Sequence, residues 1–177
     1  SGRLILGIGV SGPQVVEGWY GQPFKRPLAR TREYVEILRS AFAREDYLSY
    51  EGEFFQHPYK GPNSTGLGKP LKIMTQPLRS DIPICIGAEG PKNVAQTCEI
   101  ADGWLPLYYS PYRQDVYSEV ISNRKDTFEI PLNMTVNVTD DIETCLLPIK
   151  MSIALYISGI GAKGKNFPTE LMSRMGF

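Results

Sequence analysis

The sequence has little of the material from which nucleic-acid surfaces and membrane segments are made. Its 19 Lys and Arg residues balance 19 Asp and Glu residues, so a formal net charge of zero gives no electrostatic reason to expect nucleic acid or an anionic membrane as a partner. No apolar run approaches the roughly 20 residues that a membrane-spanning helix needs, and no signal-peptide pattern opens the chain. We therefore expect a cytoplasmic protein whose partner is a small molecule.

Histidine and cysteine are also scarce. The chain contains one histidine, His57, and three cysteines, Cys85, Cys98 and Cys145, with no CxxC or Cys/His spacing. A Ser-His-Asp triad or a multi-histidine metal site would have to be built on that single histidine, so we expect no metal and predict that His57 lies in a surface loop. The cysteines lie in apolar stretches, which predicts small core residues.

Recognisable catalytic motifs are absent. The chain shows no paired carboxylates at a known spacing, no GxSxG nucleophile elbow and no Walker loop. The catalytic side chains therefore stay unassigned. A bound organic cofactor, oriented and shielded by the protein, is the economical hypothesis for the chemistry.

What the chain does have is an alternation of apolar, strand-like runs with helical patterns. The predicted strands cover 4–10, 81–88, 104–107 and 132–138, and the first two are typical of strands buried on both faces. The predicted helices cover 27–43, 92–101, 111–121 and 139–153, the last with a kink or a break at Pro148. A long loop over 11–23 and an excursion over 47–68 separate these elements.

This alternation predicts parallel β/α units, arranged either as an open doubly wound sheet or as a (β/α)₈ barrel. A barrel normally takes about 250 residues. The four or five units predicted here therefore favour a part of something longer, with a small complete open sheet as the alternative.

Ligands of parallel sheets bind beyond the carboxyl ends of the strands, which directs attention to the segments that follow each strand. The first, Gly9-Val10-Ser11-Gly12, would let the backbone approach a ligand, or would simply form a tight turn. A Rossmann site is not predicted, because the GxGxxG string is followed by a long aromatic loop instead of a helix.

Two further segments follow predicted strands. Residues 87–93 lead from a strand into a helix N-terminus, where Lys92 and Asn93 could help to hold a phosphate, although Gly-x-x-Gly-Pro is also a generic turn. Tyr108 and Tyr109 stand at another strand end, where they would stack on a planar cofactor or pack at the rim.

Taken in order, segments 1–9, 27–34, 82–93 and 101–104 resemble the luciferase-like flavin and deazaflavin oxidoreductases, particularly the branch dependent on coenzyme F420. The resemblance rests on a strand followed by GxG, a strand-GAEGPKN-helix unit and ADGW, at these separations. It implies an α/β fold of the (β/α)₈ TIM-barrel type. This chain would form a single partial barrel domain over 1–177, lacking the first strands and carrying an insertion at about 47–68.

The resemblance also implies a function and a set of site residues. The function is hydride transfer between coenzyme F420, or alternatively FMN, and a small organic substrate. Val10 and Ser11 would line the cofactor ring or its ribityl chain. Leu107 would pack beside the phosphate-bearing tail, and the residues that would face that tail are Gly87, Ala88, Glu89, Gly90, Lys92 and Asn93.

A barrel without its first strands exposes sheet edges, which predicts association with another chain. We therefore expect a homo-oligomer, most simply a dimer. The alternative function is a non-catalytic remnant or partner subunit of the family that keeps the glycine loops for structure and acts through association.

Overall fold

The computed structural model describes residues 2–159 and 166–177. The strands in this part of the chain are β1 (Leu6–Gly9), β2 (Tyr50–Glu51), β3 (Gln56–His57), β4 (Ile84–Gly87) and β5 (Gly103–Leu105). The α-helices are α1 (Pro13–Gly18), α2 (Pro27–Ala43), α3 (Pro91–Ile100), α4 (Asp115–Ser118), α5 (Ile142–Ala154) and α6 (Phe167–Met175). A 3₁₀ turn over Pro111–Arg113 precedes α4, and a π-helical segment over Leu155–Gly159 follows α5.

A parallel sheet organises the chain. Its strand order is β1-β4-β5, with α2 connecting β1 to β4 and α3 connecting β4 to β5. Gly9 lies beside Gly87, and Gly87 lies beside Leu105, so the three carboxyl ends meet at one edge of the sheet. The predicted α/β class with parallel β/α units is confirmed.

The helix α2 covers one face of this sheet. Pro27 occupies its first turn, where the missing N–H of proline costs no hydrogen bond. Val35 of α2 is buried in one cluster with Ile84 and Ile86 of β4, and Ile8 of β1 packs against that cluster. The hydrophobic effect therefore fixes α2 against β1 and β4.

A second cluster surrounds Trp104, whose side chain is fully buried. The Trp104 Nε1–H donates a 2.7 Å hydrogen bond to the Ala88 carbonyl, which satisfies the indole inside the core. Tyr117 packs edge-on against the indole with ring centroids 4.7 Å apart, and Leu171 of α6 is buried in the same cluster. The helix α6 therefore closes the core on the side of β5.

Asp102 ties the amino ends of the strands to α2. Its Oδ2 accepts the Ile84 N–H at 2.9 Å and an Arg39 Nη2–H, while Arg39 Nη1 donates to the Ile82 carbonyl at 3.1 Å. Partial burial raises the pKa of Asp102, but the Ile84 N–H and the Arg39 guanidinium outweigh it and leave the pKa below its usual value. Asp102 and Trp104 of the ADGW segment thus serve the architecture.

The excursion after α2 is held to that helix by one carboxylate. Glu33 accepts the backbone N–H groups of Glu53, Phe54 and Phe55 at 2.8, 2.9 and 3.1 Å. The antiparallel pair of β2 and β3 lies on either side of this turn. Residues 50–57, within the range 47–68 predicted as an insertion, therefore form a small hairpin fastened to α2.

Several expectations about the strands need correction. The strand predicted over 4–10 is shorter, and Gly7 and Gly9 are exposed, because β1 pairs only with β4 in the described part of the chain. No strand forms over 132–138, where Val136 and Val138 are exposed. An alternating pattern makes a strand only beside a partner, and no described strand pairs with this segment.

The helices differ from expectation in three places. The long loop predicted over 11–23 contains α1, which begins directly after Gly12 with Pro13 in its first turn. The helix predicted over 111–121 is reduced to the 3₁₀ turn and α4, because the turns that follow α4 already bring Ile121 into the core. Pro148 does not break the last predicted helix, since α5 runs through it.

Two of the three cysteines lie where the sequence predicts them. Cys85 and Cys98 are buried, whereas Cys145 is only half-buried, because α5 buries none of its residues. His57 is a second correction, since it is half-buried in β3 and not in a surface loop.

Candidate functional site

The carboxyl ends of β1, β4 and β5 bring the predicted site residues to one edge of the sheet. Val10 and Ser11 directly follow β1, Ala88 and Glu89 directly follow β4, and Leu107 lies two residues beyond β5. Parallel strands place their ends side by side, so these segments are neighbours although nearly one hundred positions separate the first from the last.

The sheet face opposite α2 is almost bare of side chains near this edge. We call Gly7, Gly9 and Gly87, with Leu105 beside them, the glycine surface. A methyl group added to Gly7, Gly9 or Gly87 would find its nearest neighbour at 3.4, 3.9 or 3.7 Å, which is ordinary van der Waals contact. Packing among the described residues therefore does not require glycine at these positions. Glycine weakens a strand, and its use here is typical of close approach by a ligand or another backbone.

Ser11 adds a conformational feature at the same edge. Its φ of +56° lies in the left-handed region, which residues other than glycine adopt only at a cost in conformational energy. Strained backbone of this kind concentrates at ligand-binding and catalytic sites. The chain after β1 thus turns sharply where the glycine surface ends.

Glu89 is the site's most perturbed acid. Its Oε1 accepts the Leu107 N–H at 2.8 Å, while its buried Oε2 has no hydrogen-bond partner among the described residues. Burial raises the pKa of this carboxyl to about 7, although the Leu107 N–H acts in the opposite direction. The Asn93 Oδ1 and the Tyr108 hydroxyl are likewise buried without a partner in the described residues. These three buried polar groups therefore have no hydrogen-bond partner among the described residues, which is rare in folded proteins.

Replacing Glu89 by glutamine should stabilise the protein above pH 7. A pKa raised in the folded state means that folding costs free energy once Glu89 ionises, so wild-type stability falls as pH rises from the unfolded value near 4.3 through about 7. A glutamine side chain would keep the acceptor for the Leu107 N–H without the charge. We expect Glu89→Gln to add about 2 kcal/mol at pH 8 and almost nothing at pH 4, measured by urea unfolding.

The same unfolding series on Glu119→Gln provides the control, because Glu119 is exposed and its carboxylate makes no hydrogen bond or ion pair in the described structure. An equal gain in both variants, or a gain at Glu89 that is independent of pH, would contradict burial as the cause.

The segment predicted to face a phosphate-bearing tail divides into exposed and covered parts. Lys92 is exposed on the first turn of α3, and no side chain caps that helix N-terminus. Ala88 is buried and its carbonyl is taken by Trp104, so its methyl belongs to the core. The ring of Phe167 would lie 3.3 Å from a methyl group at Gly90, so α6 borders this turn.

The two tyrosines considered for ring stacking are engaged with other rings. Tyr109 stacks on Tyr117 with centroids 6.0 Å apart and an interplanar angle of 11°. Tyr108 meets Tyr156 edge-on at 6.5 Å, and only its hydroxyl is left without a partner in the described residues. The sequence left open whether Tyr109 stacks on a cofactor or packs at the rim, and its contact with Tyr117 supports packing.

Sequence reasoning missed two contributors to this region. The helix α6 brings Phe167 to the site, and its signals were Asn166, whose Oδ1 accepts the Thr169 N–H at 3.4 Å, and Gly176, which ends the helix at a φ of +89°. The unpartnered hydroxyl of Tyr108 has no sequence signal, because burial without a partner depends on the tertiary packing.

The described residues form neither a metal-binding cluster nor a membrane-spanning helix. No group of three or more His, Cys, Asp or Glu side chains among the described residues is arranged to hold a metal ion. Within 2–159 and 166–177, no helix has both the length and the apolar character needed to cross a bilayer.

Comparison with known proteins gives a consistent family. The luciferase-like monooxygenase family matches residues 1–156. A Mycobacterium tuberculosis protein named "Putative coenzyme F420-dependent oxidoreductase" is 50% identical over 185 aligned positions, covering 99% of this chain and 53% of the relative. The 5,10-methylenetetrahydromethanopterin reductase of Archaeoglobus fulgidus is 30% identical over 166 positions, covering 89% of this chain and 45% of the reductase.

A solved structure shares the fold. The coenzyme F420 dependent tetrahydromethanopterin reductase from Methanopyrus kandleri aligns with a TM-score of 0.69 at 21% identity, covering 99% of this chain and 51% of that one. The chain thus spans about half the length of the relatives that it matches.

Proposed function

Because the chain belongs to the luciferase-like monooxygenase family, we propose that it binds coenzyme F420 and acts in an oxidoreductase that passes a hydride between F420 and a small organic substrate. The observation that carries this proposal is the glycine surface, where the ends of β1 and β4 carry no side chain and a ligand could approach the backbone closely. The names of the Mycobacterium tuberculosis relative and of the aligned structure both contain coenzyme F420, which supports F420 over FMN as the cofactor.

The residues present fit a planar cofactor ring. Gly9 and Gly87 are neighbours in the sheet and carry no side chain that would hold a flat ring away from the strands. The half-buried Val10 and the strained Ser11 border this surface, and Leu107, which is 41% exposed, lies two residues beyond β5. We assign the ring to the glycine surface, bordered by Val10, Ser11 and Leu107.

The segment after β4 fits an anionic tail at several points. Lys92 supplies a positive charge, and the uncapped N-terminus of α3 favours an anion through its free N–H groups and dipole. Glu89 carries a proton over the lower half of the neutral pH range, and its Oε2 would then donate a hydrogen bond to an anionic oxygen. We assign the tail to this segment, with Gly87, Ala88 and Gly90 contributing backbone and Asn93 its side chain.

When bound, F420 would act as the two-electron carrier that exchanges a hydride with the substrate. The contribution of this chain is then binding and orientation, which can lower a barrier by several kcal/mol when the reacting groups are held at contact distance. The glycine surface sets the plane of the ring, and the Leu107 N–H keeps the Glu89 carboxyl in place. No proton donor or acceptor to the substrate is assigned.

We also infer that the three-stranded sheet is part of a (β/α)₈ barrel, in which β1 has a further strand at its outer edge. The fold likeness to about half of the reductase chain supports this. The exposed edge of β1 is the position at which such a strand would pair.

A titration tests the proposed function directly. We expect the purified chain to quench or shift F420 fluorescence saturably, with a dissociation constant in the micromolar range, and to bind FMN more weakly in a parallel titration. Circular dichroism of the same sample establishes that the chain is folded. A folded sample that binds neither cofactor would overturn the proposal.

The association alternative has one observation in its favour. The helix α5 buries none of its residues and exposes Leu147 and Met151. Glu143 and Lys150 lie seven residues apart on the same helix. If a second copy of α5 packed antiparallel against the first, Glu143 of each copy would face Lys150 of the other. A folded chain that forms a dimer in solution and binds no cofactor would favour this alternative.

A further inference from the structure

A cleft beside the glycine surface has a distinct lining. It lies between the end of β1 and the start of α2, with a volume of about 370 Å³. Most of its wall is apolar, and its aromatic members are Tyr20, Phe24, Tyr34 and Phe55. We call this the aromatic cleft. Its volume falls in the range of about 300–1,000 Å³ that small-molecule sites occupy.

The hairpin fixes one wall of the aromatic cleft. Phe55 follows the turn that Glu33 fastens to α2, and its own N–H donates to Glu33 at 3.1 Å. Tyr34 packs against the Phe55 ring with centroids 5.8 Å apart. The aromatic wall is therefore held in position by backbone hydrogen bonds to α2 and by ring contact.

Two cationic side chains line this cleft, and no carboxylate side chain among the described residues does. The Arg30 guanidinium lies over the Phe55 ring, 5.4 Å from its centroid, and Lys25 is also part of the wall. Neither has an ion pair among the described residues.

The acids nearby are already engaged. Glu17 accepts the Phe24 N–H at 3.1 Å, Glu53 pairs with Arg26, and Glu33 is saturated by the hairpin. None of these acids forms an ion pair with Arg30 or Lys25, so both cations remain available to a bound anion.

We propose that the aromatic cleft binds the organic substrate, and that this substrate is a carboxylate on a planar or otherwise apolar body. The apolar wall takes the body, and the Arg30 guanidinium, held over Phe55, pairs with the carboxylate in the bidentate geometry that guanidinium favours. The cleft lies on the α2 side of β1, and Gly9 and Val10 at the carboxyl end of β1 border both it and the ring site, so a substrate here would meet the cofactor over that end of the strand. That the bound carboxylate is the substrate rests on the proposed function, whereas the binding of a carboxylate in the cleft does not.

The binding test uses 2-naphthoate as an anionic aromatic probe and 2-naphthalenemethanol as its neutral counterpart, titrated calorimetrically without cofactor. We expect saturable binding of 2-naphthoate and at least about tenfold weaker binding of the alcohol, because a charge-assisted hydrogen bond is lost. Arg30→Met should weaken 2-naphthoate binding by a similar factor, and Arg30→Lys should restore part of it, since the charge returns without the planar fork.

The control is Arg3→Met, because Arg3 is exposed and precedes β1, at the end of the strand away from the cleft. It should leave 2-naphthoate binding unchanged. Equal loss in Arg3→Met and Arg30→Met, or equal affinity for the acid and the alcohol, would overturn the anion site.

A second titration separates the cleft from the cofactor site. With the chain saturated by 2-naphthoate, F420 should still bind with an affinity changed less than about threefold. Competition between the two would assign the cleft to the cofactor and overturn its role as a substrate site. Failure of F420 to bind at all would overturn the proposed function while the naphthoate result still decides whether the cleft binds anions.

Discussion

Gly87→Val should weaken F420 binding by about one to two orders of magnitude while leaving the protein folded. A methyl group at position 87 would lie 3.7 Å from the Ile8 carbonyl oxygen and 3.9 Å from that of Leu105, so the fold accommodates it. The isopropyl group would instead project from the glycine surface into the space assigned to the cofactor ring. Such an obstruction costs about 1–3 kcal/mol, which weakens binding roughly tenfold to a hundredfold. Fluorescence titration measures the loss, and urea unfolding measures the retained stability.

Gly18→Val is a suitable control for that experiment. Gly18 ends α1, nothing lies within 4 Å of an added methyl group, and the residue is not part of the glycine surface. Its substitution should leave the F420 dissociation constant unchanged. If Gly87→Val binds F420 as the wild-type chain does, the ring does not lie on the glycine surface and that assignment is wrong.

The fold was predictable where a pattern in the sequence and a partner in space coincide. The apolar run at 81–88 contains β4 because β1 and β5 lie on its two sides, and the spacing at 27–43 gives α2 because one helical face meets that sheet. The alternation at 132–138 is equally clear, but no described strand lies beside it, so it forms none. Periodicity thus identifies the surface that can be buried, and packing decides whether burial occurs.

The candidate site was predictable in position and less so in detail. Parallel topology was enough to bring Val10, Glu89 and Leu107 to one edge. The pKa of Glu89, raised to about 7 by burial, depends on neighbours that are distant in sequence, as does the missing partner of its Oε2. The aromatic cleft escaped prediction because Phe55 reaches it from the hairpin, and no sequence pattern places that hairpin against the start of α2.

Two glycines that look alike in the sequence have opposite roles in the sheet. Gly87 and Gly103 are both strand residues, yet a methyl group at Gly103 would lie 2.7 Å from Cys85 Sγ and 2.8 Å from the Glu129 carbonyl oxygen. The Gly103–Glu129 bridge fixes that carbonyl, and Trp104 N–H donates to it at 2.9 Å. Gly103 is therefore required by packing, whereas Gly87 is not.

Gly103→Ala should accordingly lose about 3 kcal/mol or more of unfolding free energy, a large fraction of the roughly 5–15 kcal/mol typical of a domain. Urea unfolding of Gly103→Ala beside Gly87→Ala checks this, with a change within about 1 kcal/mol expected for the latter. Combining Gly103→Ala with Cys85→Ala removes the sulfur contact but leaves the Glu129 oxygen, so the double variant should not recover wild-type stability. A loss below about 1 kcal/mol for Gly103→Ala would mean that the segment carrying Glu129 moves aside easily and that packing does not require glycine at this position.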